Sequence, residues 1–530
     1  MDIAKQSTSG SIALFVGNFA STLVLAVSGI VIARLLGPSG YGAYALALLL
    51  PNTLLNFVGL GVGAGITRYA ARNIATGEES AARRMAFNGL VFVLGFGCGM
   101  TILTYFAMPW LSEVVLQRPE LASVGQIATL AIVSQTLVQT ITSALLGWNA
   151  MRSIGVMNLA QAVLKLALAS ALVLLGFGVE GAILGLVVSQ VGAGVLGALT
   201  LYFLGVSLRG NVAFFLSDVK TMLRFGVVHF AGTMLQSFSF QYVTIVMASI
   251  ASDTVIGFYT SGSNVLAAVS VASTAIAQSL FPAFAALEGV KADTSMAFRF
   301  ALKYNGMIVA PIIFFLFGAA GPTVRFLYGQ QYAPAAVYLA LLALSNIPLL
   351  LGHGIVSNVF SGVGKVRQTF YFNLLNSGLQ FLLAPLLGIW LGLGVPGLIY
   401  SILLSNLAGS IFSLYLAKSA MGATADPRML LAVLVASMIP LSLMFPIQAV
   451  LLPSIQSEYL ILIDFVTFAA VYLTAMPLVG VLQSDDIRVL RMATAGLGSV
   501  SKILEKVLAY ESKLIARRPF RGAEQSKEPR

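Results

Sequence analysis

Residues 29–72 read GIVIARLLGPSGYGAYALALLLPNTLLNFVGLGVGAGITRYAAR. The reading is the end of one membrane helix, a tight turn and a second membrane helix. Gly37-Pro38-Ser39-Gly40 is the expected turn, because Gly and Pro break helices and leave no room here for a domain. The next apolar run extends to Ile66 and then meets Arg68 and Arg72. Arg34 sits near the far end of the first helix, where an ionisable side chain needs a reason. The layout recurs 215 residues later: Gly42 and Tyr44 fall on Gly257 and Tyr259 in the run MASIASDTVIGFYTSG.

Composition agrees with a membrane chain. Of 530 residues 58% are hydrophobic and 9% charged, against about 25% charged in a soluble chain. Fourteen apolar runs of roughly 20 residues are each long enough to span a bilayer core. They lie near 11–35, 42–66, 87–109, 123–146, 154–177, 180–204, 225–250, 256–281, 304–321, 335–358, 370–392, 395–417, 429–451 and 459–482. With the N-terminus inside, 26 of the 30 Lys and Arg fall on the cytoplasmic side or in the tail. Arg34, Arg118 and Arg325 lie opposite, and Lys165 falls in mid-membrane. This is a positive-inside pattern with both termini cytoplasmic.

The repeat extends beyond the opening stretch. A shift of 215 pairs Gly147 with Gly362, Arg152 with Arg367 and Asn158 with Asn373; a shift of 216 pairs Gly181 with Gly397 and Ser189 with Ser405. Two parallel six-helix repeats facing a central cleft are expected. The expected parts are a first bundle over 1–210, a second over 211–420, two extra helices over 421–482 and a basic amphipathic cytoplasmic tail over 483–530. In the tail Leu497, Val500, Leu504, Val507 and Leu508 keep helical spacing beside Lys502, Lys506 and Lys513, a pattern drawn to anionic lipid.

What is missing narrows the function. Gly192, Gly194 and Gly197 match a dinucleotide fingerprint in letters, but inside a helix rather than after a strand. Gly364-Lys365 ends like a P-loop, with Val359 where its first Gly belongs. The two histidines, His229 and His353, show no metal-ligand spacing. No cofactor, metal, catalytic residue or nucleic-acid partner is expected. Asp464 is the one acid well inside an expected span, and it lies outside the repeat.

Cations and amides are present instead. They suit a phosphate-bearing, hydroxyl-rich ligand, since cations pair with phosphate and amides exchange hydrogen bonds with sugar. The cavity candidates are Arg34, Lys165, His229, His353, Gln236 and Asn373. The candidates for a cytoplasmic gate are Arg68, Arg72, Arg152 and Arg367. Plainer readings stand beside each. Arg34 can snorkel to headgroups, amides and histidines can join helices, and topology alone places arginines on inner loops. Gly59, Gly61, Gly63 and Gly65 are read as allowing close packing or bending.

ARLLGPSGYGAY at 33–44 and GVGAGITRYAAR at 61–72 resemble the polysaccharide-export, O-antigen flippase-like family. That family belongs to the multidrug/oligosaccharidyl-lipid/polysaccharide exporter superfamily. The resemblance implies an alternating-access flippase that moves a polyprenyl-phosphate- or pyrophosphate-linked oligosaccharide to the outer leaflet. It implies a cationic cavity with helix 1 arginines among the contacts; here Arg34 matches and a second is absent. Two complete halves permit a working monomer, and membrane lipids and glycan polymerase or glycosyltransferase partners are the expected company. The competing readings are an ion-coupled multidrug exporter, which usually needs a core carboxylate, and a membrane-embedded glycan polymerase or glycosyltransferase, which needs an acid/base pair at a membrane face.

Overall fold

The computed structural model describes residues 2–205, 214–267, 294–363, 365–451, 457–494 and 499–516. Among them regular structure is entirely helical. Among the described residues ten stretches are long and apolar enough to cross a membrane. One of these, Met151–Phe203, covers the expected span 154–177 and nearly all of 180–204, and another, Leu14–Leu55, covers most of 11–35 and the first part of 42–66. The expected span 225–250 falls on the helix Phe215–Ile250. The span 256–281 runs partly outside the described residues. The chain is an all-α polytopic membrane protein.

The opening stretch folds more tightly than its letters imply. Asp2–Leu55 is one helical run with a single break at Gly37, φ 69° and ψ 173°. Gly37 tolerates that φ because it has no Cβ, and Pro38 can restart the helix because its missing N–H would have no partner in the first turn. The expected four-residue turn is therefore one residue. A second correction concerns the expected span 42–66. Its helix ends at Leu55, the chain turns, and it resumes as Val62–Ala75. Gly59, Leu60 and Gly61 all have positive φ in this turn. A Cβ on Gly61 would lie 2.2 Å from the carbonyl oxygen of Gly226. The break thus lets two backbones touch.

Local backbone repeats along with sequence. Gly176 and Gly178 have φ of 94° and 51°; their counterparts 216 residues on, Gly392 and Gly394, have 67° and 60°. Gly176 lies within and Gly178 just after a short stretch of wide π-type helix, Val173–Phe177, and Gly392 and Gly394 follow a second one, Leu386–Trp390. At one place the copies differ. Leu130–Gly147 is continuous, whereas the expected span 335–358 breaks into Ala335–Ser345, a 3-10 turn Ile347–Leu351 and the helix Val356–Gly362. Pro348 and Gly352, φ 88°, make that break. The first copy has Val133 and Leu137 at those positions, and neither lacks an amide hydrogen nor favours a left-handed backbone.

The chain forms two compact units. One comprises Met1–Val265, Tyr328–Ala335 and Ser377–Ser401; the other comprises Leu266–Leu327, Ala336–Asn376 and Ile402–Arg530. In the first, Val62, Ile66, Val138, Ile141, Leu145 and Met222 share a buried core. In the second, Phe298, Leu302, Ile355, Val359 and Phe360 do so. Large apolar side chains such as Phe203, Trp390 and Leu216 instead face outward, as a lipid solvent permits. Buried hydroxyls satisfy themselves within their own helices: Thr101, Thr136 and Thr140 each donate to the carbonyl four residues earlier. Such small polar residues allow close helix packing in lipid.

The tail contains the helices Ser484–Thr494 and Ser499–Ala516. The latter lies against the helix Ser457–Val479, where Thr474 and Tyr510 hydroxyls are 3.0 Å apart. Leu508 and Glu511 are buried. Burial pushes the Glu511 carboxyl up to about 7, against an ordinary 4.5. The folded state therefore holds a proton that the unfolded tail releases between those values. Docking is strongest at low pH and weakens as pH rises from about 4.5 to 7. Amide exchange across Ser499–Ala516 is expected to be faster at pH 8 than at pH 5.5 after correction for intrinsic rate. Glu511→Gln is expected to remove that difference.

Candidate functional site

The sequence-derived cations occupy distinct settings. Arg34 is exposed, one turn before the Gly37 break, and its carbonyl accepts a hydrogen bond from Gln331 at 3.2 Å. Lys165 lies midway along the helix Met151–Leu172, is partly exposed, and has no acidic partner among the described residues. Arg68, Arg72, Arg152 and Arg367 are all exposed. The Arg68 guanidinium carbon stands 4.2 Å from the centre of the Phe225 ring. Arg367 reaches the Tyr371 hydroxyl at 3.5 Å.

His353 sits in the broken segment after Leu351. Its ring packs edge-on to Phe372 at 5.1 Å, and its Nδ1 is 3.4 Å from the Ser410 hydroxyl. Asn373 follows Phe372 directly and is half-buried, with no side-chain partner among the described residues. His353 and Asn373 thus lie on neighbouring segments of one unit. The helix Phe215–Ile250 carries His229 and Gln236, whose side chains lie outside the described residues.

Several amides serve the fold. Gln190 donates to Gln135 at 2.7 Å and accepts from Ser134 at 2.6 Å; Asn158 donates to Asn18 at 2.9 Å. These groups join helices. The buried Asp464 accepts from Gln448 at 2.8 Å, and the same amide donates to the Gly318 carbonyl at 3.0 Å. The second Asp464 oxygen has no partner among the described residues.

Sequence reasoning placed Lys220 and Arg224 on an inner segment but not in a site. Together with Tyr69, Thr221 and Phe225 they line a pocket of about 460 Å³. Tyr69 and Phe225 meet edge to face with ring centres 6.4 Å apart. Nearby, Arg83 pairs with Glu79 at 2.9 Å and Arg84 with the buried Asp218 at 3.1 Å. Asn88 also donates to Asp218, at 2.8 Å. Lys220 and Arg224 lie four residues apart, a helical spacing that puts them on one face; that spacing was the available signal.

Comparisons with known proteins agree with this architecture. The succinoglycan biosynthesis transport protein ExoT of Rhizobium meliloti (strain 1021) is 28% identical over 351 residues, 66% of this chain and 67% of that protein. Among solved structures, the lipid II flippase MurJ in an inward closed conformation superposes with a TM-score of 0.70 at 15% identity, covering 88% of this chain and 98% of that one. An inward-facing multidrug resistance MATE family transporter of the MOP superfamily gives 0.63 at 18% identity, covering 76% and 94%. At such identities the two structures establish a shared fold. Residues 31–337, more than half of the 530, match the model of one family, so the chain belongs to the polysaccharide biosynthesis protein family.

Proposed function

We propose that the chain is a flippase for a lipid-linked oligosaccharide, carrying the sugar on a polyprenyl phosphate or pyrophosphate from the cytoplasmic to the outer leaflet by alternating access. The observation that carries this reading is Lys165. It is a partly exposed cation midway along an apolar helix, with no acidic partner among the described residues. An unpaired charge is costly at such a depth and marks a substrate or ion path. An anionic phosphate would complete it. Family membership and the relatives named above as a biosynthetic transport protein and a lipid II flippase support the same reading.

Each sugar hydroxyl loses several kcal/mol of hydration if forced bare through hydrocarbon. A protein-lined polar path relieves this while the lipid tail stays in the bilayer. No bond is made or broken in that task. The orientation that goes with it puts Arg68, Arg72, Arg152 and Arg367 on the cytoplasmic side, as the charge pattern requires.

The test is a vesicle assay. The purified chain in liposomes is given a fluorescent polyprenyl-pyrophosphate oligosaccharide, and arrival in the opposite leaflet is followed. Protein-dependent flipping is expected, with a plain fluorescent phospholipid left in place. Lys165→Ala is expected to lower the rate about tenfold or more, the order of one lost charge-assisted contact, with insertion unchanged. Absence of flipping by the wild-type chain under all ion gradients would sink the reading. A normal rate in Lys165→Ala would remove this residue from the path.

A further inference from the structure

The pocket formed by Tyr69, Lys220, Thr221, Arg224 and Phe225 has no role in the passage just described, and its chemistry is specific. Six basic residues lie near the ends of the three helices around it, Val62–Ala75, Glu79–Val114 and Phe215–Ile250. Two of them are neutralised: Arg83 by Glu79 and Arg84 by Asp218. Asp218 is engaged through Oδ2, to which Arg84 and Asn88 both donate. Arg68, Arg72, Lys220 and Arg224 have no acidic partner among the described residues. Positive-inside topology accounts for the presence of six cations, but not for the placing of two unneutralised ones, Lys220 and Arg224, in the lining of one concavity.

The walls are built rather than incidental. A Cβ on Gly226 would lie 2.3 Å from the Gly61 carbonyl oxygen, and one on Gly65 would lie 2.8 Å from the Met222 Cβ. The helices Val62–Ala75 and Phe215–Ile250 therefore meet at backbone contact just beneath the pocket. Ile66 and Met222 belong to the same buried core below it. Thr67 ties the first helix to the Ser143 carbonyl at 2.8 Å. Arg68 is held over the Phe225 ring by cation–π attraction. The result is an open concavity on close-packed helices, with two cations and two aromatic rings in its lining.

That combination fits a phosphate joined to an apolar stem: the cations pair with the phosphate oxygens, and the rings pack against the stem. We propose that this pocket receives the pyrophosphate of an isoprenoid carrier lipid at the cytoplasmic face, before the head group enters the transport path. The proposal rests on the flippase reading for its choice of lipid and on the charge pattern for its side of the membrane. It does not rest on Lys165.

The test is binding to the full chain in nanodiscs of neutral phosphatidylcholine. The probes are geranylgeranyl pyrophosphate, geranylgeraniol, inorganic pyrophosphate and phosphatidylglycerol. Lys220→Gln/Arg224→Gln removes two exposed charges, so folding is expected to be unaffected. Affinity for geranylgeranyl pyrophosphate is expected to fall about tenfold or more in that variant. Arg83→Gln, at a paired position, is expected to match wild type. Geranylgeraniol is expected to bind weakly to both proteins, which would confirm that the phosphate is what the pocket reads. Inorganic pyrophosphate is expected to bind more weakly than the prenylated form but with the same loss; equal binding would overturn the role of the stem. Displacement by equimolar phosphatidylglycerol would overturn the carrier lipid as ligand, and unchanged affinity in the double variant would overturn the site. Flipping is measured separately. Flipping that the double variant retains in full overturns the loading role alone, whereas a wild-type chain that binds but never flips overturns the proposed function and leaves the pocket standing.

Discussion

Gly42→Ala is expected to unfold the first unit in part and to abolish transport, although it adds one methyl group. A Cβ at Gly42 would lie 1.8 Å from the Asp253 carbonyl oxygen, and one at Gly257 would lie 2.0 Å from that of Pro38. These contacts exchange under the repeat: residues 42 and 38 map onto 257 and 253 by the same shift of 215. Gly42 and Gly257 therefore meet across a local two-fold relation, each serving as the other's neighbour, as in an isologous interface. No side chain stands there that could rotate away. The helices must separate instead, breaking the packing of Tyr41 and Asn264, whose hydroxyl and amide are 2.6 Å apart. Overpacking of this kind costs about 3 kcal/mol or more. Thermal unfolding in detergent is the measurement, with Gly95→Ala as control. Gly95 has nothing within 4 Å of an added Cβ, so alanine there is expected to stabilise the helix by about 0.5–1 kcal/mol. Equal melting temperatures for Gly42→Ala and Gly95→Ala would refute the contact.

Lys303→Met is expected to cost about 3–5 kcal/mol, the usual penalty for stranding a buried partner. Lys303 and Asp486 are 8% and 3% exposed and meet at 2.5 Å. Asp486 also accepts from the Tyr304 hydroxyl at 3.0 Å and from the Gln483 amide at 2.8 Å. This one carboxylate thus fastens the helix Ser484–Thr494 to the membrane helix Thr294–Gly318. Without Lys303 two neutral donors remain, too few to replace the lost cation in a dry setting. The tail helices are expected to detach first, becoming open to protease while the apolar helices stay protected. Lys303→Met/Asp486→Leu removes both charges and is expected to recover most of the loss. A double variant no more stable than the single would show that the Tyr304 and Gln483 hydrogen bonds matter more than the ion pair.

Much of the architecture was legible in the chain. Runs of roughly 20 apolar residues mark membrane helices because lipid leaves the backbone no other partner than itself. The offset near 215 marks the repeat, and the paired left-handed glycines at 176, 178, 392 and 394 show it in backbone form. The candidate site was legible in kind and not in membership. Cations and amides stood out by their cost in an apolar helix, yet Gln135 and Gln190 join one another, and Asn18 joins Asn158.

The sequence by itself determined the solvent, the helical class and the repeat, because each depends on composition or spacing along the chain. Only the tertiary structure decided where helices break and which cations stay free. Gly61 must break because Gly226, far away in sequence, comes to backbone contact. Arg84 and Lys220 are both cations in the sequence, but packing brings Asp218 to Arg84 across 134 residues and leaves Lys220 lining an open concavity. Pairing is a property of distance in space, and a buried carboxylate neutralises the cation that packing brings within reach.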